Sequence, residues 1–484
     1  MRAIAIASAL SLVLTAAALG SGAQTHAIGL TQKATAAPLP ASAVRKKGSS
    51  LYRVICPSTA GCVATGSYRT AKKGHLLAIA ERGGKWKPQQ TPAGVSVASL
   101  DCPSMGSCVG TSGVGEQRTY VLAQEGGTWR SDAVTLPAGA SSTPWPDLAS
   151  VSCGSPGNCA AVGAYEIPAF AKPLVVTESN GTWLAGTEPQ PPAKSATTSD
   201  RNISTPGNKL SLVSCPSAGN CTAVGSYTDK NAAAGEYPWV LEETAGQWAP
   251  GVAARLPADS NPHGDSARGA APFFGFTGLS CPSVGNCTAV GGYSGKVDVE
   301  EGLILTERNG TWSRGVTAPL PPHAVPNSEP NELNSPIASV SCAAPDDCAA
   351  IGSYVLKVGG MPHGLLLSER SGTWKASALV LPAHAQAPGG VFLSSVTCPS
   401  RGNCVAIGFY GSHGKTHGLI VPERAGKWGR GVNAALPAGA AFAGSQHTFL
   451  NAVSCGSASR CTVVGTYTTR AGASQGLTVS LRLS

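Results

Sequence analysis

Eight cysteine pairs recur along the chain, and in each pair five residues separate the two cysteines. All sixteen cysteines belong to this pattern, so none is left over. The pairs are Cys56/Cys62, Cys102/Cys108, Cys153/Cys159, Cys215/Cys221, Cys281/Cys287, Cys342/Cys348, Cys398/Cys404 and Cys455/Cys461. Several pairs enclose Pro-Ser-x-Gly-Asn, which is turn chemistry that lets a chain reverse between two short extended segments. Each pair therefore predicts a disulfide across a tight hairpin.

A zinc site is the alternative use of such cysteines. It requires four ligands at Cys-x2-4-Cys spacing with His or further Cys nearby, whereas successive pairs here begin 46 to 66 residues apart. We therefore predict eight disulfides, no metal and no cofactor. Closing so small a ring stabilises the fold by on the order of 2 kcal/mol per bond, before strain is subtracted. Disulfides in this number are typical of exported proteins.

The N-terminus supports export. Met1 and Arg2 precede an apolar run from Ala3 to Leu19, and small residues follow up to Ala23. This pattern predicts a secretory signal peptide over residues 1–23. The alternative is an uncleaved membrane anchor, but the run is short for a bilayer and leads directly into a small-residue cleavage pattern. We expect a secreted protein with no stable membrane insertion after cleavage.

The formal charge of the chain is +9, and the charged residues are spread thinly along it. We therefore predict no nucleic-acid partner and only weak attraction to anionic polymers.

Each cysteine pair opens a repeat of four predicted strands. One strand enters the first Cys, and a β-branched and aromatic segment such as Thr222–Tyr227 follows the second. After a spacer come an apolar run that ends in Glu, an Asn-Gly or Ser-Gly hairpin signal and a strand that carries Trp, as at Trp312. Four strands per period of this length indicate a blade of a β-propeller.

The eighth repeat lacks its Trp strand, and the N-terminus supplies a substitute. Residues 29–43 align without gaps on residues 310–324, with Thr31 in place of Trp312. We predict that residues 29–43 lie antiparallel to Leu477–Leu481, which closes the ring and hides an exposed sheet edge. The fold class is therefore all-β: residues 24–484 form one eight-bladed propeller with four antiparallel strands per blade. We expect a monomer.

The segment from Ala289-Val-Gly-Gly-Tyr293 through Asn309-Gly-Thr-Trp312 to Leu320-Pro321 resembles a kelch repeat of the galactose-oxidase type. The resemblance covers essentially the whole mature chain. It departs from kelch at the glycine doublet, which survives only at Gly291-Gly292, and in having one disulfide per blade. Galactose-oxidase chemistry would need a Cys cross-linked to Tyr, yet every Cys here has a partner in its repeat. Sialidase-like hydrolysis would need three Arg on inner strands, and only Arg53 falls on one.

The sequence carries no recognisable catalytic constellation, so we predict no catalytic residue. Gly472–Gly476 matches Gly-x-Ser-x-Gly, but it lies in a predicted strand-strand loop rather than a strand-turn-helix context. His413 and His417 fall on a Gly/Ser-rich loop, where a spacing of four does not define a common face. Solvated loop histidines are the better interpretation.

Loop length points to the binding face. The cysteine turns and Asn-Gly turns emerge on one face of the ring and are nearly constant, whereas the spacers and blade-to-blade connections emerge on the other and vary greatly. Variable loops on a fixed scaffold are where recognition usually lies. The predicted ligand-binding residues are Trp145, His263, Asp265, Phe273, Phe274, Phe276 and His323. The alternative for the three Phe residues is that they fill the space above their own blade.

These observations predict a non-catalytic binding propeller. Its partner would be an extracellular glycan, a cell-wall polymer or a protein, bound through the variable loops. The alternative function is a carbohydrate-active hydrolase or lyase with its site at the axial mouth, which would require acidic and Tyr side chains to converge there.

Overall fold

The computed structural model describes residues 29–112, 119–140, 147–167, 170–197, 207–230, 236–261, 274–295, 299–326, 336–441 and 446–483. Within these ranges the chain forms thirty-five strands and one three-residue 3₁₀ turn, Arg45–Lys47. No helix in this part of the chain could therefore cross a membrane. The predicted signal peptide, residues 1–23, lies outside the described residues.

Eight antiparallel sheets succeed one another along the chain, and we number them as blades 1 to 8. Blade 1 contains β2 (Ser49–Ser58), β3 (Gly61–Arg69), β4 (Gly74–Arg82) and β5 (Lys85–Pro88). Blade 2 contains β6 (Ser99–Ser104), β7 (Ser107–Thr111), β8 (Tyr120–Glu125) and β9 (Thr128–Ala133). Blade 3 contains β10 (Asp147–Ser155), β11 (Asn158–Ile167), β12 (Phe170–Ser179) and β13 (Thr182–Trp183). Blade 4 contains β14 (Lys209–Ser217), β15 (Asn220–Thr228), β16 (Glu236–Thr244), β17 (Gln247–Trp248) and β18 (Val252–Ala253).

The second half of the ring repeats this arrangement. Blade 5 contains β19 (Phe274–Ser283), β20 (Asn286–Ser294), β21 (Glu300–Arg308), β22 (Thr311–Trp312) and β23 (Val316–Thr317). Blade 6 contains β24 (Ile337–Ala344), β25 (Asp347–Tyr354), β26 (His363–Arg370) and β27 (Thr373–Ala378). Blade 7 contains β28 (Val391–Ser400), β29 (Asn403–Ser412), β30 (Lys415–Arg424), β31 (Lys427–Trp428) and β32 (Val432–Asn433). Blade 8 contains β33 (Thr448–Ser457), β34 (Arg460–Thr468), β35 (Ser474–Leu483) and, from the other end of the chain, β1 (Leu30–Ala36).

The first strand of each blade is the innermost. These strands contact one another around the axis, and β33 of blade 8 contacts β2 of blade 1, so the ring is closed. The predicted all-β, eight-bladed propeller is confirmed. Its core lies between blades rather than inside one sheet: Leu51, Val54 and Leu77 of blade 1, for example, form one buried cluster with Val464 of blade 8. Each sheet is thus buried on both faces, which explains its continuous apolar third strand.

The predicted ring closure is also confirmed. β1 runs antiparallel to β35, from Leu30 opposite Leu483 to Ala36 opposite Leu477. One detail of the alignment is wrong: the position of the outer-strand Trp is taken by Gln32, opposite Leu481, and not by Thr31. The reason is a one-residue irregularity in blade 5 between β22 and β23, which the regular strand β1 lacks.

All eight predicted disulfides are present, each within its own hairpin, and no described cysteine is free. The bonded pairs are Cys56–Cys62, Cys102–Cys108, Cys153–Cys159, Cys215–Cys221, Cys281–Cys287, Cys342–Cys348, Cys398–Cys404 and Cys455–Cys461.

These disulfides are buried in the blades rather than exposed at the turns. Every described cysteine lies on a strand, outside the turn itself. The second cysteine of each pair is at most 6% exposed: Cys62, Cys108, Cys159, Cys221, Cys287, Cys348, Cys404 and Cys461. The reason is that the blades stack face to face, so the sulfur atoms meet the preceding blade, as where Cys287 Sγ lies 3.4 Å from Thr222 Oγ1. These cysteines are therefore structural residues of the core between blades.

In blades 1, 4 and 6 the second Cys is the first of three cross-strand partners, which lie side by side on the second, third and outer strands. In blade 6, Cys348 lies opposite Glu369, and Glu369 lies opposite Trp374. Blades 1 and 4 repeat this row of disulfide, Glu and Trp. Because partners in register point to the same side of a sheet, each row packs as a unit on the preceding blade.

A collar of hydrogen bonds joins the inner strands around the axis. The residue before the first Cys of one blade accepts a hydrogen bond from the first Cys backbone N–H of the next blade, as from Cys215 to Ser152 Oγ at 3.0 Å. The same bond recurs at Ser214, Ser280, Ser341 and Ser454, and in blade 2 Asp101 takes the role. These bonds satisfy backbone donors that an inner sheet edge would otherwise leave unpaired.

The two faces of the ring differ as the sequence predicts. The turns between the third and outer strands have positive φ at both central residues, as at Asn309 (49°) and Gly310 (75°), which is the type I′ geometry favoured in hairpins. They share one face with the cysteine turns, and we call it the cysteine-turn face. The spacers between second and third strands and the blade-to-blade connections form the opposite, variable-loop face.

The prediction that His417 lies on a loop is wrong. In blade 7 the spacer between the second and third strands is only a turn at His413 and Gly414, so His417 lies on β30, where its ring stacks on that of Tyr410.

Candidate functional site

The predicted ligand-binding residues fall into two groups. Trp145, His263, Asp265 and Phe273 lie outside the described residues, so their role stays a prediction. Phe274, Phe276 and His323 are described. His323 is exposed on a turn after the outer strand of blade 5, on the variable-loop face, with a positive φ of 65°.

Phe274 and Phe276 belong to the inner strand of blade 5 rather than to a loop. Phe274 is only 8% exposed and lies opposite Tyr293 in the sheet. Its ring meets that of Phe276 edge to face, with centroids 4.8 Å apart. Both pack against the buried residues of blades 4 and 5. This packing favours the alternative in which these rings fill the space above their blade, and it makes Phe274→Ala a costly change for stability.

The structure brings together a different set of aromatic residues, which we call the aromatic patch: Phe392, Phe409 and Phe449. Phe392 and Phe409 are cross-strand partners in blade 7 and stack with centroids 5.1 Å apart. Phe449, on the inner strand of blade 8, meets Phe409 edge to face at 5.0 Å. Phe449 remains 37% exposed. Inner strands begin at the variable-loop face, so the patch lies at the axial mouth of that face.

Polar groups border the aromatic patch. His447 is exposed and precedes Phe449 by two residues, so both side chains point to the same side of the extended chain. The Nδ1 atom of His447 lies 3.2 Å from Thr416 Oγ1 of blade 7, and this contact holds the imidazole at the seam between the two blades. Exposed rings beside fixed hydrogen-bonding groups suit the apolar face and the hydroxyls of a sugar.

The sequence contains a signal for this patch that the repeat pattern alone does not reveal. Phe392 and Phe449 each stand six residues before the first Cys of their blades, where other blades carry Ser50, Lys209 or Gly275. Phe409 directly precedes Tyr410 on the second strand, and most blades have Ser, Ala or Gly at this position. Large rings at positions that are otherwise small or polar indicate a surface feature rather than a core requirement.

Tyr and acidic groups do converge, but away from the axis. The Tyr293 hydroxyl lies 2.6 Å from Glu301 Oε2, 3.0 Å from Asp259 Oδ1 and 2.6 Å from Thr317 Oγ1 of the outer strand. Burial, followed by the bond to Glu301, raises the pKa of Tyr293. In blade 7 the same tie to the outer strand recurs from Tyr410 to Asn433, and in blade 3 Tyr165 donates to Glu188, which follows the outer strand. The contact is thus a repeated device that fixes the outer strand.

Two carboxyl groups lie on the described inner strands. Asp101 accepts backbone hydrogen bonds from Cys102 and Cys153, both at 2.7 Å, and so serves the collar. Asp147 begins the inner strand of blade 3, and its Oδ1 is buried without a hydrogen-bond partner. Burial raises the pKa of Asp147. Among the described residues, no group of three or more His, Cys, Asp or Glu side chains is placed to hold a metal ion.

No protein-family model matches the chain, and no curated protein matches it by sequence. Among solved structures it is similar to Sqt1 of Chaetomium thermophilum, at 13% identity and a TM-score of 0.46, over 90% of this chain and 95% of that one. It is similar to the β-propeller domain of the Trilobed protease from Pyrococcus furiosus, at 8% identity and a TM-score of 0.39, over 89% and 95%. It is also similar to an ulvan lyase, at 10% identity and a TM-score of 0.38, over 87% and 93%. At this level of similarity, the ligands and activities of these proteins cannot be transferred to this chain. The kelch-like assignment stays a prediction.

Proposed function

We propose that this protein is a secreted, non-catalytic binding propeller that recognises an extracellular glycan or cell-wall polymer through the variable-loop face. The aromatic patch is the observation that carries the proposal. The Phe449 ring packs on Phe409 and is still 37% exposed, and His447 and Thr416 place hydrogen-bonding groups beside it. The eight disulfides are typical of an oxidising compartment, which supports secretion. A protein ligand, the other predicted partner, would be bound by the same face.

The patch can be tested by retention on insoluble polysaccharides. We expect the mature protein to bind at least one of cellulose, chitin and peptidoglycan in a pull-down assay. Phe449→Ala and His447→Ala should each weaken that binding about fivefold, because loss of a stacking ring or a fixed hydrogen bond costs on the order of 1 kcal/mol. Both residues are exposed, so the melting temperature should change little.

Leu356→Ala is the matched control. Leu356 is 55% exposed and follows the second strand of blade 6 on the same face, so its removal tests non-specific loss of apolar surface. Equal binding by Phe449→Ala and the original protein would rule out the patch. Loss of binding in Trp145→Ala and His263→Ala variants instead would assign recognition to the variable loops of blades 2 to 5.

The alternative function, a carbohydrate-active hydrolase or lyase, has one observation in its favour. A carboxyl whose pKa is raised by burial, such as that of Asp147 at the axial mouth, is what a general acid requires. Sugar release from the retained polysaccharide, abolished by Asp147→Asn, would support the enzyme. Retention without release would support the binding protein.

A further inference from the structure

The seam between blades 8 and 1 holds a cleft of about 290 Å³ on the cysteine-turn face. Its position follows from the topology of blade 8. In the other seven blades a turn joins the third strand to the outer strand, but in blade 8 these two strands, β35 and β1, come from opposite ends of the chain. The cleft is lined on one side by Lys33, Arg460 and Arg482 of blade 8 and on the other by Glu81 and the turn at Gly83 and Gly84 of blade 1.

Two arginines face each other in this cleft. Arg460 and Arg482 are direct cross-strand partners, so their Cβ atoms lie about 5 Å apart on one face of the sheet. Lys33 is exposed on the adjoining outer strand, one residue beyond Gln32. Neither arginine has an ion-pair or side-chain hydrogen-bond partner among the described residues. Like charges directly opposite each other destabilise a sheet, so the fold gains nothing from this pair by itself.

Blade 6 shows what the same positions look like when they serve the fold. There the cross-strand pair is Asp347 and Arg370, of opposite charge, with Nη1 and Oδ1 3.5 Å apart. Arg370 also reaches the next blade, where its Nη2 donates to Glu423 at 3.0 Å. In blades 3 to 5 the position of Arg460 is instead an Asn that ties the cysteine turn to the neighbouring turn, as Asn286 does by accepting from the Asn309 backbone N–H. Arg460 thus forms neither the opposite-charge pair of blade 6 nor the turn-to-turn hydrogen bond of blades 3 to 5.

The single acid in the cleft is already engaged. The Glu81 carboxylate accepts a hydrogen bond from the Gly84 backbone N–H of its own turn. The cleft therefore holds three cationic side chains against one carboxylate. A guanidinium pair in this arrangement presents two forks of donors, which match the oxygen atoms of a carboxylate, sulfate or phosphate group.

We propose that this cleft binds an oxyanion, either free or carried by an acidic glycan. The site lies on the face opposite the aromatic patch, so the inference does not depend on the proposed function. An oxyanion between Arg460 and Arg482 removes the repulsion between them and replaces, in blade 8, the carboxylate that Asp347 supplies in blade 6.

The test compares binding of dextran sulfate and of inorganic phosphate to the mature, disulfide-bonded protein by calorimetry at fixed ionic strength. Arg460→Asp should weaken binding at least about tenfold, because it removes one fork and supplies an internal anion. It should also fold with an unchanged or higher melting temperature, since it recreates the opposite-charge pair of blade 6. Glu81→Gln should tighten binding, because it removes the competing carboxylate.

Arg401→Asp is the matched control, since Arg401 is exposed on the cysteine turn of blade 7 and is not among the residues that line the cleft. An equal loss in Arg401→Asp and Arg460→Asp would show attraction by net charge alone and overturn the site. Absence of binding to both probes would also overturn it. Binding of phosphate as tight as that of dextran sulfate would identify the ligand as a free ion, whereas a preference for dextran sulfate would identify a glycan.

Discussion

A chain that begins at Val44 is expected to lose its native melting transition or to aggregate. The truncation removes β1, whose seven residues pair with β35, and leaves the edge of β35 with unpaired backbone groups. It also removes Gln32, which bonds to the backbone of Asn433 and Ala435 in blade 7, and Ala37, which is buried against blade 1. At about 1 kcal/mol per lost hydrogen bond, the cost is on the order of 5 kcal/mol, which is comparable to the total stability of many domains.

Two further measurements make the closure experiment specific. A chain that begins at Gly29 should melt like the mature protein, because it retains the whole of β1. A synthetic peptide of residues 29–43 should restore the transition of the truncated chain by adding back as a strand. A truncated chain that stays monomeric by light scattering and melts unchanged would contradict the closure.

Closure illustrates which parts of the fold the sequence reveals. The cysteine spacing and the missing Trp strand predict the blade count and the partner of β1 correctly. They fail at one position, Thr31 instead of Gln32, because an alignment without gaps cannot register a local irregularity in the strand to which it is compared. The repeated sequence pattern predicts the propeller fold well, because every blade must pack against its neighbours in the same way and so keeps the same residue types at the same positions.

The candidate sites are harder to predict because they are departures from the repeat. The aromatic patch depends on Phe409 contacting Phe449 across two blades, 40 positions apart in the chain. The cleft between blades 8 and 1 depends on ring closure, which brings Lys33 beside Arg460 and Arg482. In the sequence these three charged residues are far apart or unremarkable in spacing, so the sequence gives no sign of the cleft. The prediction that charge is spread thinly therefore holds along the chain but not at this seam.

The buried glutamates on the third strands of five blades predict that the stability of the protein falls as the pH rises. Glu178, Glu243, Glu307, Glu369 and Glu423 occupy the same position in five blades and are all buried. Burial raises the pKa of each of them. For Glu369 and Glu423, an Arg of the preceding blade opposes that rise. Glu307 has no such Arg, since the corresponding residue of blade 4 is Thr244, and it instead lies near Glu242, whose Oε1 accepts from Trp312 Nε1 at 2.8 Å.

The effect on stability follows from the direction of these shifts. Burial, and after it the neighbouring Glu242, raises the pKa of Glu307 from its ordinary value of 4.5 to about 8. The folded state therefore holds a proton that the unfolded chain releases at lower pH. The stability that this proton contributes is fully present below the unfolded pKa and is lost as the pH rises through the folded pKa. The protein should accordingly be more stable near pH 5 than near pH 9.

Glu307→Gln is expected to remove much of this dependence. The neutral amide needs no proton, so the variant should exceed the original protein by on the order of 3 kcal/mol at pH 9 and match it closely at pH 5. The fold accepts the change, because Gln124 holds the same position in blade 2 and donates to Gln89 at 2.8 Å. Denaturant unfolding at both pH values measures the difference, with Glu166→Gln, an exposed site, as the control. Equal stability of Glu307→Gln and the original protein at pH 9 would show that the buried carboxyl ionises without cost, and the role assigned to its burial would be wrong.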